Sequence, residues 1–185
     1  MTFIEQSELA EMTPEAEADQ LASRARQARD DVAAAEAAEG EPAIFRTAIP
    51  AAIGAYRLGQ PGAARSYALL ALQMAPAHRT EWNYGNAIHF GHTTLGLLAC
   101  DEGHIDEALH HLHAAGATPG SPQLNSFGPT MQLAKALLRL GHAAPVLAYF
   151  AQCAVFWTSS GDWLPLWSAK VADGKVPNFV FHVYR

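Results

Sequence analysis

Nine histidines fall in a chain of 185 residues. His89 and His92 stand three apart, as do His110 and His113, so each pair can share a helical face. Pairs of that kind raise the question of a metal. Zinc needs three or four ligands converging at about 2 Å. No HExxH or CxxC motif supplies the remainder. We therefore expect no metal and no cofactor, and read the histidines as exposed or singly hydrogen-bonded.

A second feature is the run Glu81-Trp82-Asn83-Tyr84-Gly85-Asn86-Ala87-Ile88-His89. Asn83, Asn86 and His89 are spaced by three and are expected to line one face of a helix. Asparagine is a poor helix-interior residue, so two of them beside a histidine form a polar stripe that needs a reason. Asn and His both donate and accept, which suits a peptide backbone or a polar small molecule. The same groups would equally well satisfy the backbone of a long junction loop, and both accounts stand at this point. The segment Ser121 to Pro129, read as a loop, brings Asn125, Ser126 and Phe127 toward the same side. Ser126 with His89 or His92 can be drawn as nucleophile and base, but no nucleophile elbow surrounds it and no third member is evident. A phosphate loop and a dinucleotide fingerprint are both missing. His89 with Asn86 remains a conceivable acid–base pair, and no catalytic residue is assigned.

The elements that carry these residues are helical. Alanine, the best helix former and a poor strand former, occurs 37 times. Thr13-Pro14-Glu15 reads as a helix start, with Gly40 as the stop after about Glu39. The apolar seam of this helix is Leu21, Ala25, Ala28, Val32 and Ala35, a narrow stripe that packs closely but weakly. Three later segments align on one pattern. The first is Ala51-Ala52, Ala55, Gly59, Ala64, Ala68 and Ala71, closing with Pro76. Leu95-Gly96, Ala99, Gly103, Ala108, Leu112 and Ala115 form the second; Leu133-Ala134, Leu137, Gly141, Val146, Phe150 and Cys153 form the third. Each reads as a helix, a tight turn at the glycine and a second helix.

This pattern resembles the tetratricopeptide repeat, a helix-turn-helix unit of about 34 residues, over roughly residues 43 to 157. The turn glycines lie 44 and 38 residues apart, and the extra length falls at Ala77–Asn86 and Thr118–Gly128. Pro50 is expected to kink or restart its helix. The stretch Trp82 to Trp157 is also similar to an uncharacterised group of bacterial proteins of this repeat type, on Tyr84–His89, Gly120–Pro129 and Val146–Trp157. The repeat register places Arg46, Tyr56, Arg57, Thr93, Asp101, Lys135 and Arg139 on the concave face, a surface that favours a carboxylate or an acidic peptide. It turns His110, His111 and His113 toward solvent. A turn at Ser159–Asp162 precedes a short helix ending at Gly174, and Trp157, Trp163 and Trp167 suit a cap over the last repeat. Val176 to Arg185 reads as extended.

Whole-chain properties exclude several classes. Hydrophobic residues make up 50% and charged residues 16%, with a net charge of -6. That argues against a nucleic-acid partner, which requires a clustered basic surface. The acid is concentrated: residues 1–41 hold 11 of the 18 acidic residues. Cys100 and Cys153 read as small core residues. The opening MTFIEQSELAE is no secretory leader, and no apolar run spans a membrane, so a cytoplasmic location is expected.

We therefore expect an all-α, TPR-like solenoid of about three helix pairs. It divides into an acidic N-terminal helical extension (1–41), a repeat domain (42–157) and a C-terminal cap and tail (158–185). Its expected role is to bind a peptide, a protein or an acidic small molecule through Asn83, Asn86, His89, His92, Asn125, Phe127, Lys135, Arg139, Arg46 and Arg57. A small enzyme using the His/Asn cluster is the alternative, and self-association through the N-terminal helix is a further expectation.

Overall fold

The computed structural model describes residues 13–179 and His182. Residues 1–12, on which the expectation about a secretory leader rests, lie outside that set, as do 180, 181 and 183–185 of the expected extended tail. Among the described residues the chain is all-helical. In order come α1 (Pro14–Glu36), α2 (Glu41–Arg57), α3 (Pro61–Met74), a 3-10 turn (Ala75–His78), α4 (Tyr84–Asp101), α5 (Ile105–Gly116), α6 (Pro122–Phe127), α7 (Gln132–Arg139), α8 (Ala143–Phe156) and α9 (Trp163–Ala172). None is long and apolar enough to cross a membrane.

Thr13 caps α1 by accepting from the Ala16 N–H at 3.3 Å, with Pro14 in the first helical position. The helix ends at Glu36, short of the expected Glu39. Ala28 of its seam is fully buried, close against Gly54 of α2, whereas Leu21 is 49% exposed. Only the C-terminal half of α1 therefore docks, and it does so along α2.

The pairs α2/α3, α4/α5 and α7/α8 all turn in the same way. Gly59, Gly103 and Gly141 have φ of 67°, 78° and 90°. After each, an N–H returns to the carbonyl five residues back: Gln60 to Ala55 at 2.9 Å, His104 to Ala99 at 2.8 Å, His142 to Leu137 at 3.0 Å. This is the left-handed helix stop in which glycine avoids a Cβ clash. Every alanine and larger apolar residue of the aligned pattern in these pairs is buried, from Ala51 through Cys153. Helix α4 packs on α2, α3, α5 and α7, and α8 on α5, α7 and α9. One hydrophobic core runs from Leu97 and Leu112 through Tyr149 and Phe150 to Leu164 and Trp167 of α9.

Three local expectations are corrected. Helix α2 does not restart at Pro50 but runs through it as one helix; Pro50 is exposed. Residues 121–129 are not a plain loop: Ser121 Oγ accepts from the Leu124 N–H at 2.9 Å and Pro122 opens α6. That Ser-Pro start is a legible helix signal. His111 does not face solvent, since its side chain is only 12% exposed and turns toward α4.

The C-terminal aromatics are core. Trp157 and Trp167 are 2% and 0% exposed, and the ring of His182 lies 4.9, 5.9 and 5.1 Å from those of Trp157, Trp163 and Trp167. Cys100 and Cys153 are free thiols, the latter buried and pushed up to about 12 by desolvation.

The start of α4 presses on the segment joining α5 to α6. A Cβ on Gly85 would collide with the Gly120 carbonyl, while Thr118 Oγ1 donates to the Gly85 carbonyl at 2.8 Å. Both clashing groups are backbone, so neither can yield by a rotamer change. Gly85→Ala is expected to cost about 1–3 kcal/mol in urea unfolding; an unchanged midpoint would mean that this contact is loose.

Candidate functional site

A cleft of about 390 Å³ opens between α2, from Arg46 to its last residue Arg57, and the N-terminal part of α4. Arg46, Ile49, Pro50, Ile53 and Arg57 of α2 form one wall; Asn83, Asn86, Ala87 and Phe90 form the other. Trp82 stands at the cleft, 58% exposed, while Asp31 of α1 and Gln123 of α6 complete the lining. The α2 wall follows from helical spacing: positions 46, 49, 50, 53 and 57 make a single stripe over three turns. At the C-terminal ends the two helices close, where Tyr56 OH donates to Asp101 Oδ2 at 2.9 Å. Burial and that neighbouring carboxylate push the Tyr56 phenol well up, so it stays protonated and keeps donating.

The lining holds two guanidiniums and one carboxylate, a balance that suits an anion. Ile49, Ile53, Ala87 and Phe90 add an apolar floor for the body of such a ligand. Asn86 is pinned: its Nδ2 donates to Gln123 Oε1 at 2.7 Å, and its Oδ1 accepts from Ser121 Oγ at 2.6 Å. Those two bonds draw α6 against α4 and bring Gln123 into the cleft. Asn83 precedes α4 at its cap position, makes no side-chain capping bond, and has a buried Oδ1 without a hydrogen-bond partner. A buried amide oxygen of this kind is costly to leave unmet.

Of the ten residues expected to bind, Arg46, Arg57, Asn83 and Asn86 are brought together here. His89 is not with them. Steps of three residues drift about 60° each around a helix, so Asn83, Asn86 and His89 diverge. His89 is 0% exposed, with Nδ1 3.2 Å from the Ala115 carbonyl and Nε2 3.1 Å from the Thr130 N–H. It satisfies the junction backbone from inside. His92 faces α5, its Nδ1 3.0 Å from Nδ1 of His111. Asn125 Oδ1 accepts from the N–H and hydroxyl of Thr158 at 3.1 and 2.7 Å, tying α6 to the end of α8. Phe127 is 72% exposed outside the cleft lining. Lys135 Nζ donates to the Asn178 carbonyl at 3.0 Å, and Arg139 lies exposed in the last turn of α7. Among the described residues, no three or more His, Cys, Asp or Glu side chains converge as a metal set would.

Sequence reasoning missed Ile49, Ile53, Trp82, Phe90, Gln123 and Asp31. The stripe on α2 could have yielded the two isoleucines, since they lie between the two arginines at helical spacing. Gln123 and Asp31 carry no such local signal, because other helices deliver them. No family model matches the sequence, and neither a curated protein nor a solved structure matches it.

Burial lowers the His89 imidazole to about 4, outweighing the bond to Ala115, and lowers His92 to about 4 with a further push from His111. A histidine whose folded value lies below its unfolded one stabilises the fold fully above about pH 6.5. That contribution falls away as the pH drops from about 6.5 to about 4. For His89 the amount is on the order of 3 kcal/mol. His89→Gln is expected to lower stability at pH 7.5 and to narrow its gap to the parent as the pH falls to 4.5. Urea unfolding at several pH values checks this, and parallel curves would refute the assignment.

Proposed function

We propose that this chain is a binding module built as a TPR-like helical repeat, holding a peptide or an acidic small ligand in the cleft between α2 and α4. The observation that carries the reading is the presence of Arg46 and Arg57, three turns apart on α2, along an apolar floor, with the unpartnered Oδ1 of Asn83 in the same lining. The ligand's anionic groups meet a guanidinium at either end of the α2 stripe, and its apolar part lies on Ile49, Ile53 and Phe90. The repeat reading is supported by three helix pairs that turn at glycine with one hydrogen-bond pattern. Two free thiols suit a reducing compartment such as the cytoplasm. The enzyme alternative draws on His89 and His92, and neither imidazole lines the cleft.

The test is a panel of aliphatic and aromatic carboxylic acids and short acidic peptides, followed by tryptophan fluorescence, with Trp82→Phe to identify the reporting ring. At least one acid should bind. Removing a charge-assisted contact costs about 1.5–3 kcal/mol, so Arg46→Ala or Arg57→Ala should each weaken binding about tenfold or more. Lys135→Ala, outside the cleft, should leave it unchanged. Equal affinity across all variants, or no binding by any acid or peptide, would overturn the reading.

A further inference from the structure

A second site lies on the opposite flank of α4, between α4 and α5. Nδ1 of His92 and Nδ1 of His111 face each other at 3.0 Å. Two nitrogens with their lone pairs on each other need a proton between them, or something that replaces it. Nε2 of His111 lies 3.8 Å from Oε1 of Glu107, one turn earlier on α5. That carboxylate favours the His111 tautomer with its proton on Nε2, which leaves Nδ1 as a bare lone pair aimed at His92. A carboxylate behind an imidazole is the arrangement that orients metal-bound histidines and raises their basicity.

The spacing fits the same role. Two imidazole nitrogens bound to one divalent ion at about 2.0–2.1 Å lie about 2.9 Å apart at a right angle and about 3.4 Å apart in a tetrahedron. The observed 3.0 Å falls within that interval. Both rings are held on helices that pack side by side; their centroids lie 5.2 Å apart, nearly in line with the two Nδ1 atoms, so each ring must tilt off that line to aim its lone pair at a shared ion. His110 neighbours His111 with ring centroids 5.6 Å apart, and Arg65 reaches Glu107 at 4.0 Å. Arg65 holds Glu102 more tightly, at 2.8 Å.

We propose that His92 and His111 form a two-histidine site for a divalent transition-metal ion, with Glu107 as its positioning residue and water filling the other coordination positions. On binding, His92 gives up its Nδ1 proton and carries one on Nε2 instead, so both Nδ1 atoms coordinate. A site of two imidazoles with open positions follows the general affinity order, copper(II) above nickel(II) and zinc(II). This site shares no residue with the α2/α4 cleft and does not rest on the binding reading above.

The experiment uses full-length protein without a histidine tag, titrated with Cu(II), Ni(II) and Zn(II) by calorimetry. One equivalent should bind, with copper tightest. Long-range nitrogen–proton spectra of the unaltered protein should show the Nδ1 resonances of His92 and His111 moving with zinc, while His142 stays in place. His92→Ala and His111→Ala should each lose affinity by tenfold or more, and Glu107→Gln by about tenfold; His142→Ala should retain it. The spectra keep the proposal testable if a variant fails to fold. Absence of binding, metal shifts confined to other histidines, or affinity retained in both folded alanine variants would overturn it.

Discussion

His89 holds its two partners only as a neutral imidazole with the proton on Nδ1, because Ala115 offers a carbonyl and Thr130 offers an N–H. Thr130 is engaged on every polar atom. Its carbonyl accepts from Tyr149 OH at 3.1 Å, and its hydroxyl donates to the His182 carbonyl at 3.2 Å. Four parts of the chain therefore meet at one residue: α4, α5 by way of Ala115, α8, and the C-terminal segment. None of these groups can reach water, so each needs its bond. A single protonation would set two donors against each other at Nε2 in the middle of the fold.

The long junction between α5 and α7 is the part of the molecule that this arrangement holds in place. A helical repeat joined by a short turn has little backbone to satisfy. Here the chain from Thr118 to Met131 is long, and several of its polar groups draw on α4 for partners. Asn86 takes Ser121 and Gln123, Gly85 takes Thr118, and His89 takes Thr130. One face of α4 thus organises the junction, and the cleft is a consequence of it. Gln123 stands in the cleft because Asn86 pulls it there.

The polar residues that looked most chemical in isolation divide by the direction in which α4 presents them. Its N-terminal end offers Asn83 and Asn86 to the groove shared with α2, where Arg46 and Arg57 supply charge. One turn later the helix has rotated His89 into the junction, and His92 onto α5. The cleft is therefore rich in cations and amides, and its apolar floor comes from residues with no chemistry of their own. Shape and charge make it a place to hold something.

Much of this was legible in the chain. Helix content follows from 37 alanines and the scarcity of strand formers. The glycine turns follow from backbone sterics, which act on a few residues at a time. The burial of Ala52, Ala68 or Val146 follows from helical period alone. Arg46 and Arg57 could be placed together because both lie on one helix. Which way His89 and His111 point could not be read, since a spacing of three is compatible with either side of a drifting stripe. Packing made that choice, by pressing α4 against the junction and α5. Gln123 and Asp31 reach the cleft from helices remote in sequence, and only the folded arrangement of those helices sets their position.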